Sequence, residues 1–184
     1  MQKTVDKHVN DVMEIIHSKD DLNEIVFSLH SFKELVDYKS VIKNGGDNLE
    51  KRKLLIASEL KNISSKPLKE YFQSLIRAND MWIFEPGHFG DFEKSFKDLS
   101  EDVVLINLVA ALEIKEKDLK KLTEDLSKKM EKKVVLDVTV DKTIIGGAII
   151  KKDNFVLDFS LKNKLGQFGS EWKKSVVKSG NVDE

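Results

Sequence analysis

The sequence predicts an α+β protein with its helices first and its sheet last. Three observations carry that expectation. Up to residue 101, apolar residues recur at helical spacing and nothing alternates with period two over any length. From residue 102 the pattern changes to short β-branched runs around one strongly charged helix. Turn residues break the first part at close intervals, which favours short loops and antiparallel neighbours. The expected architecture is an antiparallel bundle of about six short helices over residues 1–101. A small β-α-β-β-β domain with a tail helix follows over residues 102–184.

The bundle reads as follows. Val5, Val9, Val12, Met13 and Ile16 share one helical face, and Ser18-Lys19-Asp20 breaks the run. Leu22, Ile25, Val26, Leu29, Phe32 and Val36 form the next face. Asn44-Gly45-Gly46 is a turn, and Asp47 with Glu50 has the spacing of a capping box. Leu49, Ile56, Leu60 and Ile63 make the third face. Ser64-Ser65 restarts the pattern, with Pro67 in a first turn where its missing N–H costs little. Leu68, Tyr71, Phe72, Leu75 and Ile76 line that helix. Pro86-Gly87 precedes a last run with Phe89, Phe92, Phe96 and Leu99.

In the second part, Val103 to Val109 is short and β-branched and is expected to be a buried strand. Glu113 to Lys133 is a charged helix with a Leu119, Leu122, Leu126 and Met130 stripe. Val134, Leu136, Val138 and Val140 alternate onto one strand face, and the first β-α-β unit should be a parallel crossover. Asp141 to Ile150 and Phe155 to Ser160 flank a polar turn and predict a hairpin. Gly146-Gly147 falls inside its first apolar run, which implies a bend, a bulge or a close backbone neighbour. Leu161, Leu165, Phe168, Trp172 and Val176 form the tail-helix stripe. Gly166 and Gly169 interrupt it at about 1 kcal/mol each, so that helix should fray unless something packs on it.

Composition excludes several function classes. The 184 residues carry a net charge of −1, which argues against general nucleic-acid binding. There is no cysteine, hence no disulfide, thiolate nucleophile or Cys-ligated zinc. The longest charge-free apolar run, Val103 to Leu112, is far short of a bilayer span, and the N-terminus has neither a signal-peptide core nor a transit-peptide composition.

Candidate chemistry is sparse. His8, His17, His30 and His88 are scattered without metal-ligand spacing and read as exposed or capping imidazoles. Gly146-Gly147 lacks the Lys-Ser/Thr closure and following helix of a phosphate loop. Gly166-Gln167-Phe168-Gly169-Ser170 has the wrong spacing for a nucleophile elbow. Glu116, Glu124 and Asp125 each have a Lys four residues on, as on a solvated helix face. Lys142 to Lys178 holds eight Lys against Asp153, Asp158 and Glu171. That bias leaves a nucleic-acid-binding module as the alternative function, although core packing already explains Phe155, Phe159, Phe168 and Trp172.

The stretch Val138-Thr139-Val140-Asp141-Lys142-Thr143-Ile144-Ile145-Gly146-Gly147-Ala148-Ile149-Ile150 resembles the C-terminal signature of the ATP synthase delta subunit family, which includes the oligomycin sensitivity conferral protein. Asp158 and Ser160 stand at its Asp-x-Ser positions, and Lys162, Lys164 and Leu165 match its basic stretch and Leu. Val109-Ala110-Ala111-Leu112 is similar to the family's domain junction. Three places depart from the pattern: His8 to Val12, Asn79-Asp80-Met81, and Phe159 where Gly is common.

The resemblance implies a non-catalytic stator subunit of F-type ATP synthase, without cofactor or metal. It would link the catalytic head to the peripheral stalk and resist rotor torque during proton-driven synthesis. The implied partners are the N-terminal helices of the alpha subunits, on the bundle, and the stalk b subunit, on the C-terminal domain. The implied location is peripheral, at the cytoplasmic face of a bacterial-type membrane, reached only through partner subunits. By analogy, the head-binding groove lies between the first and fifth helices, with Val9, Val12, Ile16, Leu68, Phe72 and Leu75 as candidates. Asp141, Gly146, Gly147, Asp158, Ser160 and Leu165 are the signature residues, with a structural role. For Asp158 and Ser160, the residue types themselves suggest capping where strand meets tail helix.

Overall fold

The computed structural model describes residues 2–39, 49–85 and 87–179, with side chains from 4–33, 49–85 and 87–172. The expected Asn44-Gly45-Gly46 turn, the Asp47 cap, Pro86 and the side chains of Val36 and Val176 lie outside these residues. The chain divides into two units, Met1–Val104 and Leu105–Glu184.

The described residues of the first unit contain five α-helices: α1 (Gln2–Glu14), α2 (Lys19–Lys39), α3 (Leu49–Glu59), α4 (Lys66–Arg77) and α5 (His88–Glu101). Short 3-10 turns stand at Leu60–Asn62 and Trp82–Phe84. Local chemistry sets the helix starts. Ser18 Oγ accepts from Asp21 N at 3.1 Å while Asp21 Oδ2 accepts from Ser18 N at 2.9 Å, a reciprocal capping pair for α2. Ser65 caps α4 by accepting from Leu68 N, with Pro67 in the first turn. The α1 face is buried in full, as are Leu22, Ile25, Leu29 and Phe32 of α2, whereas Val26 and Leu49 turn outward.

An aromatic cluster fills the centre. Phe32 and Phe89 have ring centroids 5.3 Å apart, Phe72 and Phe84 likewise, and Phe92 and Phe96 continue the stack at 6.3 Å. Such pairs add roughly 0.5–1.5 kcal/mol each beyond the area they bury. Met81, Ile83 and Phe84 are core residues that the helical-face reading passed over. Their short apolar run after Asn79-Asp80 was the available signal.

The second unit has strands β1 (Val104–Ala110), β2 (Val134–Val140), β3 (Ala148–Lys152) and β4 (Phe155–Asp158), with helices α6 (Glu116–Met130) and α7 (Leu161–Ser179). The sheet order is β2-β1-β3-β4. The β1–β3 and β3–β4 pairs are antiparallel. Asp141 N, just past β2, donates to Ala110 O at the end of β1, so those two strands finish side by side as a parallel crossover places them.

Two strand expectations need correction. β1 is not buried throughout: Ile106, Leu108 and Ala110 face inward while Leu105 and Asn107 are exposed. β2 does not alternate: Val134, Val135 and Leu136 are all buried, and its far end at Val140 is exposed. Position along the strand, under α6 or beyond it, outweighs the face on which a residue stands. α6 is shorter than expected and ends at Glu131 in the left-handed region (φ 53°). Ser127 Oγ then accepts from Val134 N at 2.9 Å and ties the turn to β2.

Candidate functional site

The Gly-Gly segment lies before β3, not inside it, because β3 starts only at Ala148. Residues 141–147 form a loop over which the start of α7 passes. Gly146 O accepts from Leu161 N at 2.8 Å, Gly147 O accepts from Ala111 N at 3.2 Å, and Phe159 N donates to Ala148 O at 2.9 Å. Gly147 has φ +83°, and a Cβ there would overlap the Phe159 carbonyl oxygen. At Gly146 a Cβ would stand 2.7 Å from Leu161 Cδ1. The glycines let two backbones cross in contact.

The other signature residues brace the same corner. Asp141 Oδ1 accepts from Thr143 N at 2.9 Å and from Thr143 Oγ1 at 2.7 Å. Asp158 Oδ1 accepts from Ser160 N at 2.8 Å. Buried Ser160 caps α7, its Oγ accepting from Asn163 N at 3.2 Å, and Asn163 Nδ2 donates to Asp158 O at 2.8 Å. The Thr143 bonds hold the Asp141 carboxyl below the usual carboxylate range, and the Ser160 bonds do the same for Asp158. Every polar group here is spent on turning the chain.

Beyond that corner, the described part of α7 exposes its apolar residues. Leu161, Leu165, Phe168 and Trp172 lie along one stripe, and Leu165, Phe168 and Trp172 are 66%, 65% and 63% exposed. Leu165 is therefore a surface residue. Lys162 and Lys164 flank the stripe. By register, Phe155 and Leu157 share the sheet face of Leu108 and Ile150, yet Phe155 is 77% exposed. The second unit thus displays an apolar, lysine-edged surface.

In the first unit, Val9, Val12, Ile16, Leu68, Phe72 and Leu75 are all buried. A groove of about 570 Å³ runs instead between α1 and α5, the helix after the one that carries Leu68, Phe72 and Leu75, and is lined by Asp6, Val9, Asn10, Ser95, Asp98, Leu99 and Asp102. Of the six candidates only Val9 reaches it; the others lie in the core. The groove's own polar lining had no sequence signal, because single polar residues on helices α1 and α5 look like any solvated face.

The histidine expectation fails at two positions: His8 and His17 are buried. Among the described residues no group of three His, Asp or Glu is placed to hold a metal ion, and no helix is long and apolar enough to cross a membrane.

Comparison with known proteins decides the family. The family model described as ATP synthase delta (OSCP) subunit matches residues 7–171. This chain belongs to the ATP synthase delta (OSCP) family. The delta subunit of Wigglesworthia glossinidia brevipalpis is 29% identical over 65% of this chain and 67% of its own length. That of Natranaerobius thermophilus is 26% identical over 91% of this chain and 89% of its own. In several further delta subunits the matched stretch is 61–65% of the relative's length. A chain of the Polytomella F-ATP synthase, 22% identical, covers 42% of this chain and 99% of its own length with a TM-score of 0.38, too low to carry an argument.

Delta subunits are the non-catalytic stator component that links the F1 head to the peripheral stalk. Membership accounts for the want of a catalytic set, and it takes the place of the nucleic-acid-binding alternative. It also gives the Gly-Gly and Asp-x-Ser residues their setting: a braced corner that launches α7 from the sheet.

Proposed function

We propose that the two units of this stator subunit grip different partners, the helical unit the head and the sheet unit the stalk. The observation that carries this reading is α7. A helix with two glycines and an exposed apolar stripe is marginal by itself in water. Its stripe has the spacing and length to lie along a second helix. The partner it suits is a stalk helix, that of the b subunit, with apolar residues opposite Leu165, Phe168 and Trp172 and acidic residues opposite Lys162 and Lys164.

For the head, the α1–α5 groove suits the N-terminal helix of an alpha subunit, with Leu99 and Val9 as its apolar floor. The other five candidates, all buried, then act from beneath, holding α1 and α4 in place. Two grips on one chain give avidity: with one end bound, the other sees a local partner concentration near mM for a short linker. The subunit would work at the cytoplasmic face of a bacterial membrane, held there by partners.

The test is a split of affinities. Leu165→Asp with Phe168→Asp should weaken binding of a purified fragment from the C-terminal end of the stalk b protein by about 100-fold or more, as loss of a buried hot spot does. Alpha-peptide binding should be unchanged. Leu99→Arg should do the reverse. If the folded chain binds neither partner, or if both variants weaken both partners alike, the proposal is wrong.

A further inference from the structure

His8 is fully buried on α1, on the side away from the Asp6 and Asn10 groove face. Its Nδ1 is 2.8 Å from the Tyr71 hydroxyl, and that hydroxyl donates to Asp11 Oδ2 at 3.2 Å. A hydroxyl has one proton; Asp11 takes it, so His8 Nδ1–H must be the donor to Tyr71. The neutral ring therefore carries its lone pair on Nε2. That atom is buried without a hydrogen-bond partner and stands 4.0 Å from Asp80 Oδ2. A bare buried acceptor next to a carboxylate is a place where a proton changes the local balance.

We propose that His8 is a proton-sensitive latch, holding α1 against α4 and the turn that follows it while its ring is neutral. All the elements around it enter. Lys7 and Asp11 come from α1, Tyr71 from α4 and Asp80 from the turn after α4. Trp82 lies nearly parallel to the His8 ring at 6.2 Å, and His88 stacks on Trp82 at 4.0 Å, with Glu85 at 3.6 Å from His88. α5 also packs on α1, but it brings Asp98 and Asp102 to the groove side.

Burial is the largest effect on the ring and pushes its pKa below the ordinary 6.5; Asp80 and Asp11 oppose this and Lys7 adds to it. A histidine depressed in this way favours the folded state when neutral. Its contribution is complete above the unfolded value and is lost as pH falls through the folded one. Acid therefore loosens α1 from the corner of the bundle. α1 is also one wall of the proposed head groove. Acid release of the head would follow, a consequence that rests on the functional reading above, whereas the latch itself does not.

The test uses the full chain without partners. Ring-proton NMR should show His8 titrating below the ordinary histidine value of 6.5. Asp80→Asn should move the His8 midpoint lower still by removing the charge that raises it. The thermal midpoint of the first unit should fall between pH 7 and pH 5 more in the wild type than in His8→Asn, which keeps a donor near Tyr71. The latch is overturned if His8 titrates at or above that ordinary value. It is equally overturned if Asp80→Asn leaves that midpoint in place, or if the two melting profiles keep the same pH slope.

Discussion

The two units solve the burial of apolar side chains in opposite ways. In the first, the described helices close around Phe32, Phe72, Phe84, Phe89, Phe92 and Phe96, and each of these rings is buried. In the second, a four-stranded sheet and α6 bury a smaller set centred on Ile106, Leu108 and Val134 to Leu136. Phe155, Leu157, Phe168 and Trp172 are left outside. Large apolar residues in water are unfavourable for an isolated domain, so the second unit is shaped for assembly. The first is a finished domain with a groove in its surface. A stator link needs both: one rigid body, and one surface completed only by its partner.

The sharpest probe of that difference is the aromatic centre. Phe72→Ala should destabilise the first unit by about 3–5 kcal/mol, the usual cost of truncating a buried Phe. Hydrogen exchange should then rise in α1, α4 and α5 and stay unchanged in β1 to β3. Matching losses in both units would show that they fold as one body, and the contrast drawn above would break.

The second probe is the glycine corner, where the sheet unit is tight. Gly147→Ala meets both a positive φ and the Phe159 carbonyl oxygen. Backbone strain of about 1–3 kcal/mol and an overpacking cost of similar size should add there. Gly146→Ala meets side-chain atoms of Leu161 and no backbone, Cδ1 at 2.7 Å and Cγ at 3.2 Å, and that side chain is half exposed. Its cost should stay below about 1 kcal/mol, within the range of tolerated packing changes. Thermal denaturation of the two variants measures the gap; equal losses would mean that Leu161 is held as firmly as the backbone.

These contrasts also show what was legible in the sequence. The helical faces of the first unit largely were, because most apolar residues at three-to-four spacing are buried there, Val26, Leu49 and Leu99 excepted. The α+β order was legible too, from the change of period after residue 101. The location of Gly146-Gly147 was not. Ile144 and Ile145 look like strand residues locally, and only the crossing of α7 over the loop removes them from the ladder. Strand alternation misled for β2, where the cover given by α6 ends part-way along. The His8–Tyr71–Asp11 chain was invisible because its members are 60 and 63 residues apart in sequence and meet only through bundle packing. The exposed stripe of α7 was legible as a stripe, and its lack of cover was not, since periodicity is the same whether or not anything packs on it.

The smallest effect concerns the cap at the start of α7, where the finished and unfinished parts of the second unit join. Ser160→Ala removes the acceptor for Asn163 N and should cost about 1 kcal/mol, as loss of a helix N-cap does. The loss should be seen at every pH as faster exchange over Leu161 to Leu165. Asp158 acts differently. Its carboxyl is held below the usual range by the Ser160 bonds, so its contribution is present above the unfolded carboxylate value of about 3.9 and fades as pH falls through the folded one. Asp158→Asn keeps an acceptor for Ser160 N and loses the charge. It should therefore leave α7 intact at neutral pH and remove the extra fraying that the wild type shows on acidification below about pH 4, near that carboxylate value. Helical circular dichroism of the two variants across pH 3 to 7, the range over which the carboxylates titrate, separates a cap that depends on charge from one that does not. If both variants fray alike at neutral pH, Asp158 is as much a part of the cap as Ser160, and the corner is more fragile than its hydrogen bonds suggest.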